Sequence, residues 1–230
     1  MFDRIRKAFS KEAKEQPSEM QSSQFAAGPV SEWAATQGFG FSLENKGQGI
    51  ALEGKIEGRP WRIQLGRPTR NYMLGAEVRA RAELGLPENI AVLVMNRPLK
   101  EALEKRAYQI STDGLQTSAD TSLPEEMRWL AMFEEVGWES APDAFWQRFS
   151  VLTDQREHAL AWVEPSLVQL MLEWPAPAPS AEVPFMVLLL NGKAYLRMEY
   201  TPAEMRTLQH ASRIFTAACH SALANLSRRG

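Results

Sequence analysis

Residues 185–200, Phe-Met-Val-Leu-Leu-Leu-Asn-Gly-Lys-Ala-Tyr-Leu-Arg-Met-Glu-Tyr, decide the fold class. The aliphatic run 185–190 has the length of a strand, and Asn191-Gly192 follows it. A two-residue type I′ turn needs positive φ at both positions, which Asn and Gly tolerate, so residues 193–200 are expected to return antiparallel. Upstream, residues 75–84 set Ala76, Val78, Ala80 and Ala82 against Glu77, Arg79, Arg81 and Glu83. A period of two places the apolar side chains on one face of a strand and the charges on the other. Residues 50–56 and 61–65 flank the turn Glu57-Gly58-Arg59-Pro60 and read as a second hairpin. Residues 90–95 are continuously apolar, the mark of a central strand buried on both faces.

Helices fall between these strand clusters. Pro98 stands in the first turn of one, with Leu99, Ala102 and Leu103 as its apolar stripe. Residues 109–121 read as a polar loop. Ser122-Leu123-Pro124-Glu125 has the form of a capping box opening a helix that carries Trp129, Leu130, Met132, Phe133 and Val136. A further helix starts near Asp154 and Glu157 and is interrupted at Pro165. Thr201-Pro202-Ala203-Glu204 has the capping-box form again. Behind it Met205, Leu208, Phe215, Cys219, Ala222 and Leu226 make one helical seam. Clustered strands, without strict βα alternation, predict an α+β fold: a largely antiparallel sheet with a long C-terminal helix packed along one face. Three stretches are expected: a basic amphipathic tail and linker (1–28), a β-rich half (29–110) and an α+β half (111–230). The two halves can form one compact domain.

Composition narrows the function. The 230 residues are 44% hydrophobic and 23% charged, with a formal net charge of −2, which argues against a generally basic nucleic-acid binder. One cysteine, Cys219, rules out an intramolecular disulfide framework and cysteine-rich metal sites. No stretch reaches the ~20 apolar residues that span a bilayer, and Asp3, Arg4, Arg6 and Lys7 break up any signal-peptide core. The expected location is the cytoplasm. Phe2, Ile5 and Phe9 share a helical face among Arg4, Arg6 and Lys7, a pattern suited to weak docking on the inner face of a membrane or on a partner.

Reactive constellations are scarce. The glycines Gly47, Gly49, Gly54 and Gly58 precede strands, not a helix, so they read as turn residues and not as a phosphate loop. Asp154 and His158, four residues apart, are the one acid–histidine pair with general-base spacing. Arg206, His210 and Arg213 fall on one arc of the last helix, a candidate surface for anions or an acidic partner. Arg59, Trp61 and Arg62 form a second such candidate, where cations beside an aromatic suit single-stranded nucleic acid. Around it Lys55, Arg67, Arg70, Arg79 and Arg81 outnumber the acids, whereas residues 112–182 hold thirteen Asp/Glu against three Arg. A basic half and an acidic half suit self-association or an oppositely charged partner.

The stretch from Phe149-Ser150-Val151-Leu152-Thr153-Asp154 through Asn191-Gly192-Lys193-Ala194-Tyr195-Leu196, preceded by a Gly-x-x-x-Gly-Arg hairpin at 54–59, resembles a class of bacterial proteins of unknown activity. The resemblance covers roughly residues 50–200. It implies a bacterial source and an α+β module, sometimes near membranes, and carries no activity or cofactor.

These observations lead to the expectation of a non-enzymatic cytoplasmic interaction protein, without cofactor or metal, that binds a protein partner or itself. Its first helix is a candidate peripheral membrane tether. Two alternatives follow from the same residues: a hydrolase- or transferase-like enzyme using Asp154 and His158, and a weak single-strand nucleic-acid module using the Arg/Trp hairpin.

Overall fold

In the computed structural model, which describes residues 27–113 and 125–227, both expected hairpins form and share one sheet. Its strands are β1 (Gly40–Glu44), β2 (Gly49–Ile56), β3 (Arg59–Gly66), β4 (Glu77–Glu83), β5 (Val92–Asn96), β6 (Glu134–Val136), β7 (Phe149–Thr153), β8 (Phe185–Leu190) and β9 (Lys193–Glu199). They lie antiparallel in the order β1-β2-β3-β4-β9-β8-β5-β7-β6. The late hairpin β8–β9 is thus inserted between β4 and β5, so both halves of the chain build the same sheet. At its turn Asn191 and Gly192 have φ of 50° and 74°, as a type I′ turn requires.

The described helices are α1 (Ala27–Gln37), α2 (Arg97–Asp113), α3 (Glu125–Met132), α4 (Asp143–Arg148), α5 (Arg156–Trp162), α6 (Pro165–Leu172) and α7 (Met205–Leu226). The fold is α+β, as the strand clustering implied. One sheet face is apolar along its whole width. Ile50, Leu52, Trp61, Ile63, Leu65, Val78, Ala80, Leu196, Val187, Val94 and Val151 bury there beneath α1, α4, α5, α6 and α7. The seam of α7 packs on this face through Leu208, Phe215, Cys219, Ala222 and Leu226, all fully buried. The described residues cover the other face only in part. Leu93, Met95, Leu152, Met186 and Leu188 pack against Leu99 and Leu103 of α2 and Met127 and Trp129 of α3, joined by Tyr72 and Met73 from the loop 67–76.

Three local expectations differ from the fold. The α3 helix stops at Met132, and residues 134–136 pair with β7 as a strand; there they satisfy backbone groups that a free β7 edge would leave open. Residues 97–113 form one helix, which runs into the expected polar loop. Thr201 does not cap α7: the helix begins at Met205, its N-cap Glu204 makes no side-chain bond, and the Thr201 hydroxyl donates instead to buried Glu199 (3.0 Å). Of the Ser122–Glu125 box only Glu125 lies within the described residues.

Candidate binding face

On the partly covered sheet side, the strands β2, β3, β4 and β9 carry no helix among the described residues. The period of two that buries Val78, Ala80 and Ala82 turns Arg79, Arg81 and Glu83 to this open side. The same alternation on β3 and β9 turns out Arg62 and Gln64, and Lys193, Tyr195 and Arg197. Register then fixes neighbours. Arg62 lies directly opposite Arg81, and Arg81 opposite Tyr195. One step along, Gln64 lies opposite Arg79, and Arg79 opposite Arg197. Two arginine pairs therefore face each other across adjacent strands, an arrangement that repels. Together with Glu53, Lys55 and Glu83 these side chains line a depression of about 810 Å³.

Carboxylates offset part of the repulsion. Arg62 binds Glu44 and Glu53, and Arg81 binds Glu83, which also lies 3.5 Å from Lys193. Burial pulls the Glu44 carboxyl up, but bonds from Gln64 and Arg62 bring it below its ordinary range. Arg197 donates to Glu77 Oε1 (2.8 Å) and to the Thr69 hydroxyl (2.9 Å). Arg79 is the least satisfied: its contact with Glu77 is 3.7 Å, and its buried Nε makes no hydrogen bond.

Three fully buried glutamates fasten the loop 67–76 beside this face. Glu77 Oε2 accepts from the Thr69 amide (2.7 Å) and hydroxyl (2.8 Å). Glu199, directly opposite Glu77, accepts from the Leu74 amide (2.9 Å). Glu126 on α3 accepts from Arg70 Nε (2.5 Å) and the Tyr72 hydroxyl (3.0 Å). Burial, reinforced by the Glu126 charge, pushes the Tyr72 phenol well above its ordinary pKa. Burial alone would lower the Arg70 pKa, but Glu126 more than offsets it and the pKa is raised.

The candidates read from sequence are dispersed. Arg59 and Trp61 share the strand parity of Ile63 and Leu65, so they sit on the opposite face from Arg62. Trp61 is 3% exposed, its ring covering Gly54 and meeting Phe39 edge-on at 4.8 Å. The expected Arg59–Trp61–Arg62 surface is therefore split by the pleat. Arg206 and Arg213 do line a shared depression of about 620 Å³, with Trp33 and Trp174. His210 lines it too but is buried and not solvated: its Nε2 bonds the Leu170 carbonyl (2.8 Å), and its ring lies tilted against Trp174 with centroids 4.6 Å apart. Burial, with Arg213 nearby, lowers its pKa despite the Leu170 bond. Asp154 is exposed and His158 buried; no hydrogen bond or ion pair joins them, and His158 Nδ1 has no partner. Phe2, Arg4, Ile5, Arg6, Lys7 and Phe9 lie outside the described residues.

Reading residues one run at a time missed Arg197 and Tyr195. Each is flanked by buried neighbours in a hairpin, and only the pairing of β9 with β4 brings them beside Arg79 and Arg81. Cys219 is fully buried, and burial pushes its thiol far up. Among the described residues no group of three or more His, Cys, Asp or Glu could hold a metal ion, and no helix is long and apolar enough to cross a membrane. Compared with protein-family models, with curated proteins and with solved structures, the chain matches none of them.

Proposed function

We propose that this protein acts by docking, without catalysis, and that its open sheet face receives an acidic segment of a protein partner. The carrying observation is the two directly opposed arginine pairs, Arg62 with Arg81 and Arg79 with Arg197, on a surface that no described helix covers. Like charges in register weaken a sheet. The resident glutamates offset only part of the repulsion, and a further carboxylate placed between the arginines removes more of it. Arginine suits this task because its planar fork binds carboxylates in two-point fashion.

The neighbouring acids favour a protein over nucleic acid. Glu53 and Glu83 line the same depression and would repel a continuous phosphate backbone, and among the described residues Tyr195 is the one aromatic lining it besides buried Trp61. An enzyme reading would need Asp154 to orient His158, a contact that is not made. The reading places the protein in the cytoplasm, with residues 2–9 adding a weak membrane tether.

Binding of fluorescein-labelled poly-glutamate to the full chain tests the docking reading. Tight binding at low salt is expected, falling at least tenfold in Arg62→Glu/Arg81→Glu. Equal binding by that variant, or stronger binding of oligo-dT, would overturn it. For the tether, equal co-sedimentation with anionic vesicles of the full chain and of a chain lacking residues 1–16 removes that part.

A further inference from the structure

Resting on the docking reading, we infer that the open face holds two twin-arginine clamps, and that the partner segment is extended, with carboxylates at alternate positions. Arg79 and Arg81 are two residues apart on β4, so their Cα atoms repeat at about 6.7 Å. Each has its second arginine on a different neighbour: Arg197 of β9 opposes Arg79, and Arg62 of β3 opposes Arg81. Directly opposed Cβ atoms lie about 5 Å apart, close enough for two guanidinium groups to share one carboxylate. The clamps therefore sit on opposite sides of β4, one residue pair apart along it.

An extended chain laid along β4 presents every second side chain toward the sheet, at the same repeat of about 6.7 Å. An acid-x-acid sequence fills both clamps at once. The pattern also favours two carboxylates over a longer acidic run at the clamps themselves. Along β4 the outward residues read Glu77, Arg79, Arg81, Glu83, and Glu83 and Glu53 line the depression. A third acid toward Glu83 meets repulsion, so a cation is favoured there. The clamps differ in readiness. Arg62 and Arg81 must exchange Glu44, Glu53 and Glu83 for the incoming carboxylate, which costs little because exposed ion pairs contribute only about 0–1 kcal/mol. Arg79 gives up only a 3.7 Å contact with Glu77 and has an unbonded Nε, while Arg197 beside it keeps its bond to Glu77, so Arg79 should contribute most to binding.

Three labelled peptides of equal length and charge distinguish the possibilities, titrated against the full chain. The first has Thr-Glu-Thr-Glu-Thr-Lys, the second has its two glutamates adjacent, and the third places them four apart in an alanine-rich helix. The first is expected to bind at least tenfold tighter than the others. Arg79→Gln should weaken it about tenfold and Arg81→Gln about fivefold. Arg79→Lys, which keeps the charge but loses the fork, should fail to restore full affinity. Arg62→Gln gives a separate reading of the second clamp, and unchanged melting temperatures confirm that each variant is folded. Equal binding of all three peptides, or preference for the helical one, overturns the spacing inference while docking of an acidic segment survives. If none binds and poly-glutamate does not either, both fail.

Discussion

The two halves of one sheet face make opposite use of the same alternation. On β8 and β5 the outward positions are Met186, Leu188, Leu93 and Met95, and α2 and α3 cover them. One strand away, on β9 and β4, the same rows continue as Arg197 and Arg79, and as Tyr195 and Arg81, with no described helix above. Along one row, Gln64, Arg79 and Arg197 give way to Met186 without a break in register. The boundary runs between β9 and β8, and the loop 67–76 is fastened to both sides of it. Its Tyr72 and Met73 enter the apolar cluster, while Thr69 binds Glu77 and Arg197 on the charged side. The difference shows that helix coverage follows side-chain chemistry and not sheet geometry. Covering the arginines would take charges out of water, a cost that their ion pairs with neighbouring glutamates need not repay.

Breaking the boundary from the covered side should have the largest effect. Met186→Arg extends the arginine row beneath the helices and buries an unpaired charge. It should cost on the order of 4 kcal/mol or more, enough to leave little folded protein in a urea titration. Next comes the fastening. Glu126→Gln deprives Arg70 of its nearer carboxylate, leaving Glu125 at 3.6 Å, and Tyr72 of a charged acceptor, and about 2 kcal/mol of stability should be lost in denaturant melts. On the open side the reciprocal change should be nearly silent. Arg79→Gln removes an incompletely paired guanidinium and relieves its repulsion with Arg197. Stability should stay within about 0.5 kcal/mol of wild type, in contrast to its loss of binding.

The smallest effect is one of pH. His210 has a lowered pKa in the fold, so its neutral form is favoured there. Protonation is then easier in the unfolded chain. The stability tied to this group is fully present above the unfolded value of about 6.5 and is lost as pH falls toward the lower folded value. Thermal melts between pH 7.5 and 5.5 should show a decline that His210→Gln flattens. An unchanged slope would remove His210 from the pH response.

Patterning carried much of the fold. The Asn191-Gly192 turn, the alternation at 76–83 and the apolar run at 90–95 each encode local geometry, and those elements form where that geometry predicts. The Thr201 box failed because its hydroxyl had another acceptor close by, Glu199 two residues back, which the fold buries at the end of a strand. The binding face was legible only in halves. Arg62, Arg79 and Arg81 stood out as a basic run, but Trp61 beside them belonged to the other face, and Arg197 lay more than a hundred residues away.

By itself the sequence determined which side of each strand is apolar, because a period of two is a property of neighbouring residues. It determined the tight turn at 191–192 and the buried seam of α7 by the same local means. Only the tertiary structure decided which strands become neighbours. The opposition of Arg79 to Arg197 exists because the last hairpin inserts beside β4, and that choice depends on long-range burial of whole faces that no short stretch of chain encodes.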